Sequence, residues 1–227
     1  MVYQSSMTTG GSAKSVGLLY LIEALAGLSR GSYLVCFGWT TLVVTGDVSK
    51  VGQVFVASML TILFGSHLVG VIVDRSHRHR IIRQGHAAIA AIMALVGFAL
   101  VDIQSFSTEL FFAAVILITL ARIAYESSFD AILKQLVAPE TLITTLARAR
   151  AIHLLCTASA TVFIGWCLSS YEVSVAFYIS AIFSVLLVVV SVLLPDLDCH
   201  SRTKEAKPKI TKDFKESFAL LRNVPDL

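Results

Sequence analysis

Charge is scarce in this chain. Asp, Glu, Lys and Arg make up 15% of its 227 residues, hydrophobic residues make up 56%, and the mean hydropathy is +0.79. A water-soluble domain of this length needs far more charge to wet its surface, which excludes that class. The apolar stretches also lack the two-residue alternation of a lipid-facing barrel strand. Cysteine is sparse, and Cys36, Cys156, Cys167 and Cys199 have neither CxxC nor metal-ligand spacing, so they read as small apolar residues. There is no glycine-rich phosphate loop, no Ser or Cys nucleophile in a recognisable elbow, and no paired acids outside one helical stripe. His77 and His79 flank Arg78 without a third ligand, and His67 and His153 stand singly near span ends, so no metal site emerges. Nothing here points to an enzyme, a cofactor or a metal.

What the chain has in abundance is long apolar runs. They recur at Val16–Val44, Val51–Val73, Ile81–Val101, Leu110–Val137, Ala151–Ser170 and Val173–Leu194. Each is close to or longer than the roughly 20 residues a helix needs to cross a bilayer. The last run carries no charge over its full length, which argues against a large soluble bundle. The predicted fold is therefore all-α and integral to the membrane, a bundle of six transmembrane helices over 16–194. Residues 1–15 are rich in Ser, Thr and Gly with only Lys14 charged; they read as a short disordered arm, not a cleavable signal peptide. Pro195 stops the sixth helix, and 195–227 reads as a cytoplasmic linker. Within it, DFKESFALLR at 213–222 places Phe214, Phe218 and Leu221 on one face of a short amphipathic helix.

The formal charge of +3 invites a nucleic-acid reading, but its distribution gives a better one. Arg75, Arg78, Arg80 and Arg83 lie between the second and third spans. Lys134, Arg148 and Arg150 lie around the loop after the fourth, and Arg202, Lys204, Lys207, Lys209, Lys212, Lys215 and Arg222 lie in the tail. The opposite loops hold Asp47, Asp102, Glu109 and Glu172 against a single Lys50. Positive charge marks the cytoplasmic side, which places both termini there, as an even number of crossings also requires. The expected partner is a lipid bilayer, that of the cell (inner) membrane, with no nucleic acid involved.

The turn after the second span reads GVIVDRSHRHR from Gly70 to Arg80. It resembles the loop between helices two and three of the major facilitator superfamily, whose pattern is G-x-x-x-D-R-x-G-R-[RK]. Gly70, Asp74, Arg75 and Arg78 match; His77 replaces the second Gly and His79 the last basic residue. In physical terms Gly70 lets another helix approach the second span closely, and Asp74 sets negative charge at a neighbouring helix N-terminus. Arg78 is placed to tie that Asp to the bundle. The resemblance implies the N-terminal six-helix half of a fold made of two such bundles around a central cavity, lined by the first and fourth helices of each. It implies a transporter of a small-molecule substrate. It also implies that the chain is truncated to one half and inactive alone, needing a second six-helix half or a homodimer. A softer likeness, around Val137 to Ala149, is to efflux members that export siderophores or macrolides. The fifth span, SATVFIGW at 159–166, lacks the Gly-Pro cluster of antiporter-type members. A non-transporting membrane scaffold that keeps the bundle for packing is the alternative reading.

The candidate transport residues lie in the first and fourth spans. Arg122, Glu126, Asp130 and Lys134 recur every four residues and so form one stripe on a helix. Facing lipid costs such residues about 2.5–3.5 kcal/mol each near the helix centre, so a wet cavity with alternating signs is the cheaper surrounding. Glu23 and Arg30, seven apart, share a face of the first span. At about 1.5 Å per residue, Arg30 reaches the depth of Arg122 and Glu126, while Glu23 falls nearer Asp130 and Lys134. A buried pairing of Glu126 with Arg30 and Arg122 is expected, and Glu23 is expected to have fewer cations near it. The superfamily often carries a Gln-Gly pair after the fourth-helix Arg; here Tyr125 and Glu126 stand in its place.

Overall fold

A computed structural model of the chain describes residues 13–101 and 108–194, excepting the side chains at 13, 74, 75 and 108. It contains six helices: α1 (Ala13–Thr45), α2 (Val48–Arg75), α3 (Arg78–Ala99), α4 (Thr108–Leu136), α5 (Pro139–Ser170) and α6 (Val173–Val192). No strand occurs among the described residues, and all six helices are long and apolar enough to cross a membrane. Residues 13–15, expected to belong to a disordered arm, instead form the start of α1; the rest of the arm, the polar linker and the amphipathic helix expected in it lie outside the described residues.

The turns explain the boundaries. Gly46, at φ +64°, takes the left-handed position that ends α1, and its N–H donates to the Leu42 carbonyl at 2.8 Å. Asp47 then caps α2 by accepting from the Ser49 N–H at 2.8 Å. At the far end of the fourth helix the turn is far shorter than the hydropathy pattern suggests. Pro139 occupies the first turn of α5, where its missing N–H costs nothing, so the helix begins there and not at Ala151. The Thr and Arg content of residues 139–150 masks these roughly three turns of helix, because it lowers hydropathy. Arg148 and Arg150 are consequently helical and not loop residues.

Helix α1 is the most buried of the six. It packs on α5 and α6; α3 packs on α6 and α4; α2 packs on α4. Phe37 of α1 anchors the apolar core, its ring 4.7 Å from Phe111 of α4 and 5.6 Å from Phe177 of α6. Lipid tails are as apolar as leucine, so burial alone does not hold such helices together, and close backbone approach does. The α1–α5 contact shows how. Gly27 and Gly31, four apart on one face, lie so near α5 that a Cβ on either would run into the carbonyl oxygens of His153 and Thr157. Across α1 and α6, the hydroxyls of Ser29 and Ser184 are hydrogen-bonded at 2.7 Å. On α2 the outward face carries Met59, Leu63 and Phe64, each more than 60% exposed, as expected of a lipid-facing surface.

Candidate functional site

The α4 stripe does not stay a simple ladder. Arg122 Nη1 donates to Glu126 Oε1 at 3.2 Å, and Arg30 Nη1 of α1 reaches the same oxygen at 3.8 Å. These three side chains are brought together as their depths suggested, but not in a dry interior. Arg30 and Glu126 are about a third exposed, and Arg122 is 13% exposed. One turn further along, Asp130 pairs with α5, not with Lys134: Arg150 Nη2 donates to its Oδ1 at 2.6 Å.

Behind this half-open layer sits Glu23, with no exposed surface. The Tyr125 hydroxyl donates to its Oε1 at 3.0 Å, and Arg150 Nη1 stands 3.7 Å from the same oxygen. His153 Nδ1 approaches Oε2 to 2.8 Å, although the ring N–H is not well aimed for a hydrogen bond. Arg150 thus bridges Asp130 on α4 and Glu23 on α1. The ring of His86, from α3, stands edge-on to Tyr125 with centroids 4.7 Å apart. His86 is buried, and among the described residues neither of its ring nitrogens has a hydrogen-bond partner; the Nε2 atom of His153 also lacks one.

Glu23 meets one guanidinium, that of Arg150, where Glu126 meets two, but neither Arg150 nor His153 was expected beside it. They are missed by starting the fifth helix at Ala151. With α5 begun at Pro139, Arg150 and His153 fall three apart in mid-helix, on the side that Gly27 draws against α1. His153 is therefore not a span-end residue. His86 gives no signal in the sequence beyond being a lone histidine in an apolar run.

Two pockets open on this arrangement. One is bordered by Arg30, Arg122, Glu126, Tyr33, His86 and His153. The other is apolar and lies between α1, α2 and α4, bordered by Tyr33, Phe37, Val54, Phe55, Val115 and Ile118. Tyr33 belongs to both. No group of three His, Cys, Asp or Glu side chains is placed to hold a metal ion among the described residues.

Six helices long and apolar enough to span a membrane are what the turn motif implied. The family model of the Major Facilitator Superfamily matches residues 19–227. The chain belongs to the major facilitator superfamily. It is a multi-pass membrane protein and a transporter of the major facilitator type. A search of curated proteins found no match.

The superfamily turn makes few contacts among the described residues. Gly70 has open space where a Cβ would stand, so no helix of the described residues closes on it. Arg78 Nη1 makes a long contact, 3.5 Å, with the Ala131 carbonyl of α4, tying the start of α3 to the end of α4. The side chains of Asp74 and Arg75 lie outside the described part, and so does any pairing of Asp74 with Arg78.

Proposed function

We propose that this bundle exports a small molecule, that its substrate meets the Arg30–Glu126–Arg122 cluster, and that it works with a second six-helix bundle. The observation that carries the reading is the cluster itself. Three charged side chains from α1 and α4 sit on a pocket, partly exposed, in a chain otherwise built for lipid. Charges facing hydrocarbon are costly, so a polar face of this kind belongs on a water-filled path. The softer likeness of Val137–Ala149 to efflux members favours export. Rocking one bundle against another requires a second bundle, whether a separate chain, a continuation or a second copy.

The test is solute flux in reconstituted vesicles, with and without a superfamily C-terminal half supplied in trans. Flux is expected only with the second bundle present, and it should fall at least tenfold in an Arg122→Gln variant. Absence of flux under every pairing would reject transport and leave a packing role.

The proposed setting is the cell (inner) membrane with both termini cytoplasmic, supported by the basic side chains at the α2–α3 turn and in the tail. A reporter active only in the cytoplasm, fused after Leu227, should be active. One active only outside, inserted near Asp102, should be active as well. The reverse pattern would overturn the charge-asymmetry argument.

A further inference from the structure

The charges of the site are unevenly divided. Arg30 and Arg122 share a single oxygen of Glu126, so the outer part of the cluster holds two guanidinium groups against one carboxylate. Glu23 and Asp130 share Arg150, so the deeper part holds two carboxylates against one guanidinium. The whole is balanced, but an anionic group entering the first pocket meets the cationic part. The same pocket is rich in donors. Each guanidinium has five N–H groups, of which the contacts just described use one apiece. His86 brings at least one further ring N–H, buried and without a partner among the described residues. A buried donor left unmade is costly, and an oxygen anion in the pocket is the acceptor that would satisfy it.

An apolar surface continues from this anion-seeking end. Arg30, Tyr33, Leu34 and Phe37 descend one face of α1, and Arg122, Thr119, Ile118 and Val115 descend one face of α4. The charged pocket therefore leads, through Tyr33, along the same helix faces to the apolar one. We propose that the substrate is an amphipathic organic anion, whose carboxylate or similar group docks between Arg30 and Arg122 while its apolar body lies along Tyr33, Phe37 and Ile118. This deepens the transport reading above and rests on the same site.

Binding to the purified full chain in an uncharged detergent tests it, measured by equilibrium dialysis with 1-naphthoate, acetate and the cation 1-naphthylmethylammonium. Naphthoate should bind, acetate far more weakly for want of an apolar body, and the cation not detectably. Arg122→Gln and Arg30→Gln should each weaken naphthoate by about tenfold or more, the loss expected for one charge-assisted hydrogen bond. Glu126→Gln should strengthen it several-fold, because it removes the carboxylate that competes for both arginines. Arg30, being a third exposed, serves as the second variant if Arg122→Gln does not fold, with helix content checked by circular dichroism. Tighter binding of the cation, or naphthoate affinity unchanged in folded Arg30→Gln, would overturn the proposal. So would displacement of naphthoate by phosphatidylglycerol with phosphatidylcholine inert, which would assign the arginines to a lipid headgroup. Naphthoate binding without flux of any solute would count for this inference and against transport; flux without anion binding would overturn this inference alone.

Discussion

Replacing Gly31 by leucine is expected to leave little folded bundle, and even Gly31→Ala should cost about 1–3 kcal/mol or more. The reason is the partner. A new Cβ there meets the Thr157 carbonyl oxygen and the Ala160 Cβ, at 2.9 Å from the latter, and backbone cannot swing aside as a long side chain can. The two helices must separate, and with them the contact of Glu23 with His153 at 2.8 Å, two turns away on the same pair of helices. Gly27→Ala should act in the same direction, against His153 itself. Gly38 on the same helix is the control, with nothing within 4 Å of its added Cβ. Gly38→Ala should be neutral or stabilising by about 0.5–1 kcal/mol, the ordinary gain of alanine over glycine in a helix. Thermal unfolding in detergent measures all three. Equal effects at Gly31 and Gly38 would mean that α1 and α5 are not packed backbone to backbone.

The second large effect concerns Glu23. Glu23→Ala should destabilise the bundle by about 3–5 kcal/mol, the usual cost of removing one partner from a buried ionic group. It strips the Tyr125 hydroxyl of its acceptor, leaves His153 facing a void, and takes one of two carboxylates from Arg150. Glu23→Gln should be milder, since an amide oxygen still accepts from Tyr125. Glu126→Gln should cost no more than about 1 kcal/mol, although Glu126 also faces two arginines. Its side chain is 31% exposed, and solvent screens the charges it leaves behind. Burial, not the number of charged neighbours, sets the order. If Glu126→Gln proved the more damaging, the assignment of Glu23 as the buried centre would fail.

Legibility in the sequence differs from residue to residue. The six spans announce themselves because an apolar run of bilayer length is too costly to expose to water and too long for most soluble cores. The meeting of Arg30 with Glu126 and Arg122 follows from counting rise along antiparallel helices, a calculation that needs only correct helix starts. It also sets Glu23 at the depth of Asp130, but it misses the partners Arg150 and His153, because hydropathy alone starts α5 at Ala151, well past Pro139. Thr141, Thr144, Thr145, Arg148 and Arg150 depress hydropathy there, although Thr141 and Thr144 bond within the first turns and Arg150 pairs with Asp130 and Glu23. The spacing of Gly27 and Gly31 is itself a close-packing signal in the sequence. Which helix it receives is not, because that depends on the order in which the helices surround α1. The role of His86 is out of reach for the same reason, since only the packing of α3 on α4 sets it beside Tyr125.

Helix α1 bears both Glu23 and Arg30 and has the lowest mean hydropathy of the six spans, 1.2. Among the described residues, the hydrogen-bonding and ion-pairing partners of Glu23 lie on α4 and α5, the nearest in sequence being Tyr125, 102 residues later. As the chain is made from its N-terminus, the first helix therefore enters the bilayer as its poorest resident, with a carboxylate that has no counterpart until most of the bundle has been synthesised. Retention of α1 is then a property of the assembled bundle and not of α1. Conditions that slow or abort synthesis between α1 and α5 should expose that helix to slippage back out of the membrane, long before any defect in the finished protein could be seen.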